Sequence, residues 1–338
     1  MARPVAILKA LATAYRRDWT ALQSLTGNTF FLLTLLLLRQ AGVFVYLIIG
    51  LVVLFPLSTD PLRKIPASRL GLWPLTRRDQ WLLRLAAPWL NPITWLLAAG
   101  AAWWAGRTIS VGLWAAVAGL FAIAFALSHL PSPGHTPMWR RMPSIPGRLG
   151  QLVRKNLREI LSTLDFYCAA ALSAAALAWR LFGSPLPREA FMAMTVLVVG
   201  ALSSYAQCLF GLDGEGGLSR YRLLPVRGWQ LLLAKDIAFL LAAVALALPL
   251  APLAAVAGAL AALAFGHSPA VEHPREQVRW RFTTGGALGN GIVQAIAMAM
   301  AVSTEFSYGI AVLPAAAAAW AASLWWYGRA MDRSQARA

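Results

Sequence analysis

Few residues in this chain have the chemistry for a reaction or a specific contact. Many of them stand in one stretch, GLDGEGGLSRYRLLPVRGWQLLLAKD, at 211–236. It sets Asp213, Glu215 and Asp236 against Arg220, Arg222, Arg227 and Lys235, between two runs that carry no charge. A calcium loop would need further oxygen ligands beyond Asp213 and Glu215 at fixed spacings, and these are missing. Gly214, Gly216 and Gly217 read instead as a sharp turn. A phosphate loop of the form G-x-x-x-x-G-K-[ST] occurs nowhere, so the chain has no means of holding ATP in that manner. A metal site would draw on His129, His135, His267 and His273. The segment HSPAVEH (267–273) pairs two of them, but Pro269 argues against a helix there and no third ligand follows. Cys168 and Cys208 lie inside apolar runs and read as small buried residues. The expectation is a non-enzymatic chain with no catalytic residue, no metal and no cofactor of its own.

A second polar set stands within apolar runs: Ser203, Ser204, Tyr205 and Gln207, then Asn290 and Gln294 in GGALGNGIVQ. Asn290 and Gln294 fall at i, i+4 on one helix face. Such groups either line a path for a substrate or pack helix on helix, as small and amide side chains do in membranes.

The elements that must position these residues follow from composition. The chain has 338 residues, 59% hydrophobic and only 13% charged, with mean hydropathy +0.61. A soluble domain is about a quarter charged, so this is the composition of a polytopic membrane protein. The 15 tryptophans suit indole anchors at the bilayer surface. A net charge of +17 raises nucleic acid as a partner, but the basic residues sit in short loops rather than on a soluble basic stripe, which excludes that class. No cleavable signal peptide is expected, because 2–25 is amphipathic and carries Lys9, Arg16, Arg17 and Asp18.

At about 20 residues per span, the apolar runs predict an all-α membrane protein of about ten transmembrane helices: 21–38, 41–57, 84–105, 110–130, 164–182, 189–210, 236–249, 251–266, 285–304 and 308–327. Pro249 and Pro252 mark a tight hairpin between the seventh and eighth. With the N-terminus inside, 26 of the 30 Lys and Arg residues fall on the cytoplasmic side, and Arg39, Arg107, Arg180 and Arg188 fall outside. That asymmetry predicts a protein of the cell inner membrane with both termini cytoplasmic. The expected outer loops GRT (106–108), SPLPRE (184–189) and TEFS (304–307) are short, so a soluble partner would dock from the cytoplasm.

A charge at mid-bilayer is costly, and chains that keep one there use it. The expected spans hold none in their central portions, which argues against proton coupling.

The chain also carries a partial internal repeat. SRLGLWPLTRRDQWLLR (68–84) lies on SRYRLLPVRGWQLLLAK (219–235), matching Ser68 with Ser219, Arg69 with Arg220, Leu72 with Leu223, Pro74 with Pro225 and Arg84 with Lys235. Each half opens with an amphipathic basic helix, LKALATAYRRDWTALQSL and GRLGQLVRKNLREILSTL, of the kind that lies in the interface against anionic lipid headgroups. Two domains are expected, 1–147 with about four spans and 148–338 with about six.

The second half resembles the permease subunit of type-2 ABC exporters over roughly 148–327. The resemblance rests on an amphipathic helix, a span pair, and a turn of the form G-L-D-x-x-G-L-x-x-Y-x-L-L-P-V followed by a Lys. Here these are Gly211, Leu212, Asp213, Gly217, Leu218, Tyr221, Leu223, Leu224, Pro225, Val226 and Lys235, with Ser268 and Pro274 in a later loop. It implies a membrane subunit paired with a separate ATP-binding subunit, ATP being bound on that partner. It also implies a coupling element that docks there through Asp213, Gly217, Arg220, Tyr221, Arg222, Leu224, Pro225 and Lys235. Through the repeat, Arg69, Trp73, Pro74, Arg77 and Arg84 form a second candidate coupling element. Ser203, Ser204, Gln207, Asn290 and Gln294 are the candidate path. The unequal halves leave open whether one chain supplies both elements or a homo- or heterodimer is required. The alternative reading is a membrane scaffold or lipid-handling enzyme using LDGEGG or HSPAVEH.

Overall fold

The structure, a computed structural model, describes residues 5–10, 13, 75–86, 90, 142–143, 145–182, 188–213, 220–221, 225–272 and 288–337. The described residues from 142 onward belong to one compact unit, and those before 91 to another. In the earlier unit, α1 (Arg77–Ala86) starts on a reciprocal cap: Thr76 Oγ1 donates to Asp79 Oδ2 at 2.7 Å, and the Asp79 amide donates back to Thr76 Oγ1 at 3.2 Å. Arg77 and Arg84 of the second candidate coupling element lie in this helix, while Arg69, Trp73 and Pro74 fall outside the described residues.

The later unit is built from α2 (Gly150–Leu161), α3 (Leu164–Phe182), α4 (Arg188–Gln207), α5 (Gly228–Ala247), α6 (Pro252–Glu272), α7 (Leu288–Tyr308) and α8 (Leu313–Arg337). Helix α2 is the expected amphipathic one, burying Val153, Asn156, Ile160 and Leu161 along one face against α5. Helix α6 is the hub and packs on α4, α5, α7 and α8. Its sequence, rich in Ala and Gly, lets neighbours approach closely. At Gly266 a Cβ would stand 2.5 Å from the Ala206 carbonyl oxygen of α4, so only glycine fits this crossing. Helices α5 and α6 form the hairpin expected at the prolines, with Pro252 at the first helical position of α6, where its missing N–H costs nothing. Arg180 Nη1 donates to the Pro249 carbonyl at 2.9 Å, and Ser173 Oγ to Leu246 O at 2.5 Å, tying α3 to that turn.

Among the described residues the chain is all-α, with several long apolar helices of an integral membrane protein. The count of about ten transmembrane helices is overturned. Among the described residues four stretches have the length and composition of a span: Ala190–Gln207, Gly228–Ala247, Pro252–Glu272 and Asn290–Arg333. The expected spans 21–38, 41–57 and 110–130 lie outside the described residues, as does 84–105 apart from 84–86 and Leu90. Leu164–Phe182 folds as a helix of 19 residues with Asp165 near one end and Arg180 near the other, and is not among the four. Of the last two expected spans, 308–327 and the part of 285–304 from Asn290 onward lie in the one 44-residue stretch, Asn290–Arg333, while 285–287 fall outside the described residues. The expected outer loop TEFS is helical within α7. The chain turns later, in a 3₁₀ segment at Gly309–Val312 that Gly309 enters at φ +68°. Asn290–Arg333 is thus one run by length and composition but two helices, α7 and α8, by its backbone.

A second correction concerns HSPAVEH. The helix continues through Pro269 to Glu272, placing His267 in α6 rather than in a loop. A proline this close to a helix end removes one backbone bond and leaves the rest of the helix intact. Ser268 Oγ donating to Glu272 Oε2 at 3.2 Å braces the last turn.

Candidate functional site

Two buried polar clusters meet on α5, where Lys235 and Asp236 are adjacent and point to different neighbours. The first cluster joins α2, the turn after α4 and α5. Helix α2 supplies Lys155, Asn156 and Glu159; the 3₁₀ segment Gly211–Asp213 ends on Asp213; Tyr221 follows, and α5 supplies Lys235. Lys235 has no solvent contact. Its ammonium donates to Asp213 Oδ2 at 2.8 Å and Asn156 Oδ1 at 3.3 Å, and lies over the rings of Phe210 at 5.0 Å and Tyr221 at 5.6 Å. Tyr221 donates to Asp213 Oδ1 at 2.6 Å. Lys155 Nζ donates to Tyr221 Oη at 2.9 Å, pairs with Asp213, and reaches Glu159 at 3.4 Å.

Burial alone would push the Asp213 carboxyl up, but the two ammoniums beside it outweigh that and hold it below the ordinary carboxylate range. Burial raises the Tyr221 phenol, and the negative Asp213 that it donates to raises it further, so it stays protonated as a donor. Burial also raises the Glu159 carboxyl, with Lys155 pulling the other way. The cluster is thus a charge-assisted lock that joins the base of the 211–235 loop to the amphipathic helix α2 and to α5.

The candidate coupling residues divide accordingly. Asp213, Tyr221 and Lys235 come together in this lock, with Tyr221 turned inward and 5% exposed rather than presented to a partner. Arg220 and Pro225 are exposed, while Gly217, Arg222 and Leu224 fall outside the described residues. Glu215 of LDGEGG and His273 of HSPAVEH fall outside them as well.

The second cluster joins α5, α6 and α8. Asp236 and His267 are both without solvent contact. His267 Nε2 lies 3.2 and 3.1 Å from the two oxygens of Asp236, and Nδ1 lies 2.9 Å from Ser323 Oγ. Trp320 Nε1 donates to Asp236 Oδ2 at 2.8 Å, and Ser323 Oγ donates to Ala264 O at 2.7 Å. The sequence reading missed this cluster, taking Asp236 as the edge of a span and His267 as a loop residue. A signal was present: Trp320, Ser323 and Tyr327 recur at i, i+3 and i+7 on one face of α8 within an alanine-rich run.

The candidate path residues are spent largely on ties between helices. Gln207 of α4 donates to Gln294 Oε1 of α7, and Gln294 Nε2 donates to Ala262 O of α6 at 2.8 Å. Ser203 Oγ donates to Gly200 O at 2.6 Å, and Ser204 Oγ to Asp165 Oδ2 of α3 at 2.8 Å. Asn290 stands apart from them, exposed near the start of α7. Among the described residues no group of three His, Cys, Asp or Glu side chains is arranged to hold a metal. Comparison with protein-family models, with characterised proteins and with solved structures finds no match, so the account of these clusters rests on their own residues.

Proposed function

We propose that this chain is the transmembrane subunit of an ATP-driven exporter, itself non-enzymatic, with a separate cytoplasmic ATP-binding subunit docking on the loop between α4 and α5. The observation that carries this reading is the lock formed by Lys155, Asp213, Tyr221 and Lys235. A docking loop transmits force only if its base is rigidly joined to the elements that must move. Here one carboxylate binds ammoniums from an interfacial helix and from a span. Exposed Arg220 and Pro225 stand on the outer side of that base, where they would meet the partner. In this reading the loop faces the cytoplasm and Arg222 and Leu224 complete the docking surface.

The test is co-purification. Tagged chain extracted from native membranes in mild detergent is expected to bring down a subunit with vanadate-sensitive ATPase activity. Replacing Tyr221 with Ala and Arg222 with Asp is expected to reduce the recovered activity at least ~10-fold, the scale of ~1.4 kcal/mol in a binding constant. Chain that purifies without ATPase activity, or variants that retain all of it, would refute the reading.

A further inference from the structure

We propose that Asp236 and His267 form a buried proton-binding site held between α5, α6 and α8. The assignment follows from counting hydrogens. Ser323 has one hydroxyl proton and donates it to the Ala264 carbonyl, so toward His267 Nδ1 its oxygen can only accept. Nδ1 therefore carries a hydrogen, and the second ring nitrogen, Nε2, faces the carboxylate. Two acceptors pointing at each other in a site without solvent contact would repel, so one further proton lies between them. Whether it is drawn on Nε2 or on the carboxyl, the pair is neutral overall. Losing that proton to water leaves a net negative charge, and gaining another from water leaves a net positive one. Both are costly where solvent is excluded.

The surroundings link this proton to helix position. From α8, Trp320 supplies a second donor to Asp236 and Ser323 supplies the acceptor for Nδ1, so withdrawal of α8 removes both supports at once. A proton bound more tightly in one seating of α8 than in another biases α8 toward that seating, as any differentially bound ligand must. The titratable and charged neighbours are few. On α5, Lys235 is adjacent in sequence but committed to Asp213, and through it Lys155 and Glu159 of α2 complete the first cluster. Helix α8 adds Tyr327, whose ring lies 6.5 Å from that of His267. Helix α4 adds Tyr205, whose hydroxyl finds no partner among the described residues. The one charged residue of α7 is Glu305, near its far end beside Pro252. His267 stands five residues before the end of α6 at Glu272, about 8 Å along the axis at the usual helical rise. It is therefore within about two turns of the helix end. The site bears on the expectation that the spans hold no charge in their central portions, because Asp236 is the ninth of the 20 residues of α5. It stands independently of whether an ATP-binding subunit docks at 211–235.

Infrared difference spectroscopy tests it on the full chain in phosphatidylcholine vesicles, with ¹³C-labelled histidine, from about pH 5 to about pH 9, which brackets the ordinary imidazole range. The expected result is one step in which a carboxyl band and an imidazole band change together. Asp236→Asn, whose amide preserves the shape and a donor toward Nε2, is expected to abolish that joint step. His267→Gln is expected to remove the imidazole band and displace the carboxyl change. Trp320→Phe is expected to keep both bands and move the step along the pH axis. Bands that do not respond, or that titrate separately and survive in each other's variant, would overturn the proposal. Because the chain has four histidines, His267→Gln assigns the imidazole band and Asp236→Asn the carboxyl band, and Trp320→Phe, which leaves both groups in place, keeps the test decisive if either of those variants fails to fold.

Discussion

A lysine ammonium with no solvent contact must find its compensation inside the protein, and Lys235 takes it from Asp213, Asn156 and two aromatic faces. Removing one partner of such a buried pair strands the other, at about 3–5 kcal/mol. Asp213→Asn is therefore expected to lower stability by that order in detergent-solubilised thermal unfolding. Adding Lys235→Met to it is expected to cost less than the sum of the two single changes, because the residues share one interaction. The sign of the pH dependence follows from the depressed Asp213 carboxyl. A group held lower in the folded chain contributes stability that is fully present above its unfolded value and is lost as pH falls through its folded value. The Asp213 contribution is expected to hold from neutral pH down to the ordinary carboxylate range and to fade from there as pH falls toward the depressed folded value. Melting curves recorded across that range in wild type and Asp213→Asn isolate this term, since the difference between them should shrink only at the acid end. At this scale much was legible in advance: Asp213, Tyr221 and Lys235 stood out by charge and order. Their mutual contact did not, because Tyr221 and Lys235 bond Asp213 directly across 8 and 22 positions of chain, and the helix that adds Lys155 and Asn156 reads as turning its basic face to lipid headgroups.

At the scale of elements, the bundle is held by small-residue crossings and by amide ties. Gln294 of α7 accepts from Gln207 of α4 and donates to the Ala262 carbonyl of α6, so one side chain joins three helices. Hydrogen bonds between membrane helices are individually modest, about 0.6 kcal/mol on average and up to about 1.7. Gln294→Leu is expected to destabilise by roughly the upper value, since it removes the bonds to both Gln207 and the Ala262 carbonyl at once. The double change Gln207→Leu with Gln294→Leu is expected to recover part of that loss, measured as a coupling energy in a double-mutant cycle. Gly266→Leu should do worse than either. Its side chain meets the α4 backbone where even a Cβ would come within 2.5 Å of Ala206 O. The expected cost is about 1–3 kcal/mol or more, and the shift would displace His267 next to it. The hairpin at Pro249 and Pro252 and the amphipathic α2 were readable as elements from proline placement and apolar spacing. The run of α6 through Pro269 was not, because a proline near a helix end breaks one hydrogen bond without stopping the helix.

For the whole molecule, the testable statement is topological. With the 211–235 loop in the cytoplasm, a cysteine replacing exposed Arg220 is expected to resist a membrane-impermeant maleimide applied to intact cells and to react in inverted vesicles. With Cys168 replaced by Ala, the remaining native cysteine, Cys208, is buried and should contribute little background. Labelling from outside would place the loop in the wrong compartment and remove the basis for coupling to a cytoplasmic ATPase. The two clusters give this loop reach: a displacement at Asp213 acts on Lys235, and the next residue on α5 is Asp236 of the proton site.

Composition by itself determined that this chain lives in a membrane and is helical there, because a backbone out of water must satisfy its own hydrogen bonds and the chain has too little charge for any other setting. The order of basic and apolar segments also marked where a loop would interrupt the bundle. Only the tertiary structure decided how many stretches qualify as spans among the described residues, and that Lys235 and Asp236 face separate clusters. It alone brought Asp236, His267, Trp320 and Ser323 together from three helices. The reason is physical: burial and pairing are properties of surfaces that meet, and residues 31 and 84 positions apart along the chain carry no local mark of their meeting.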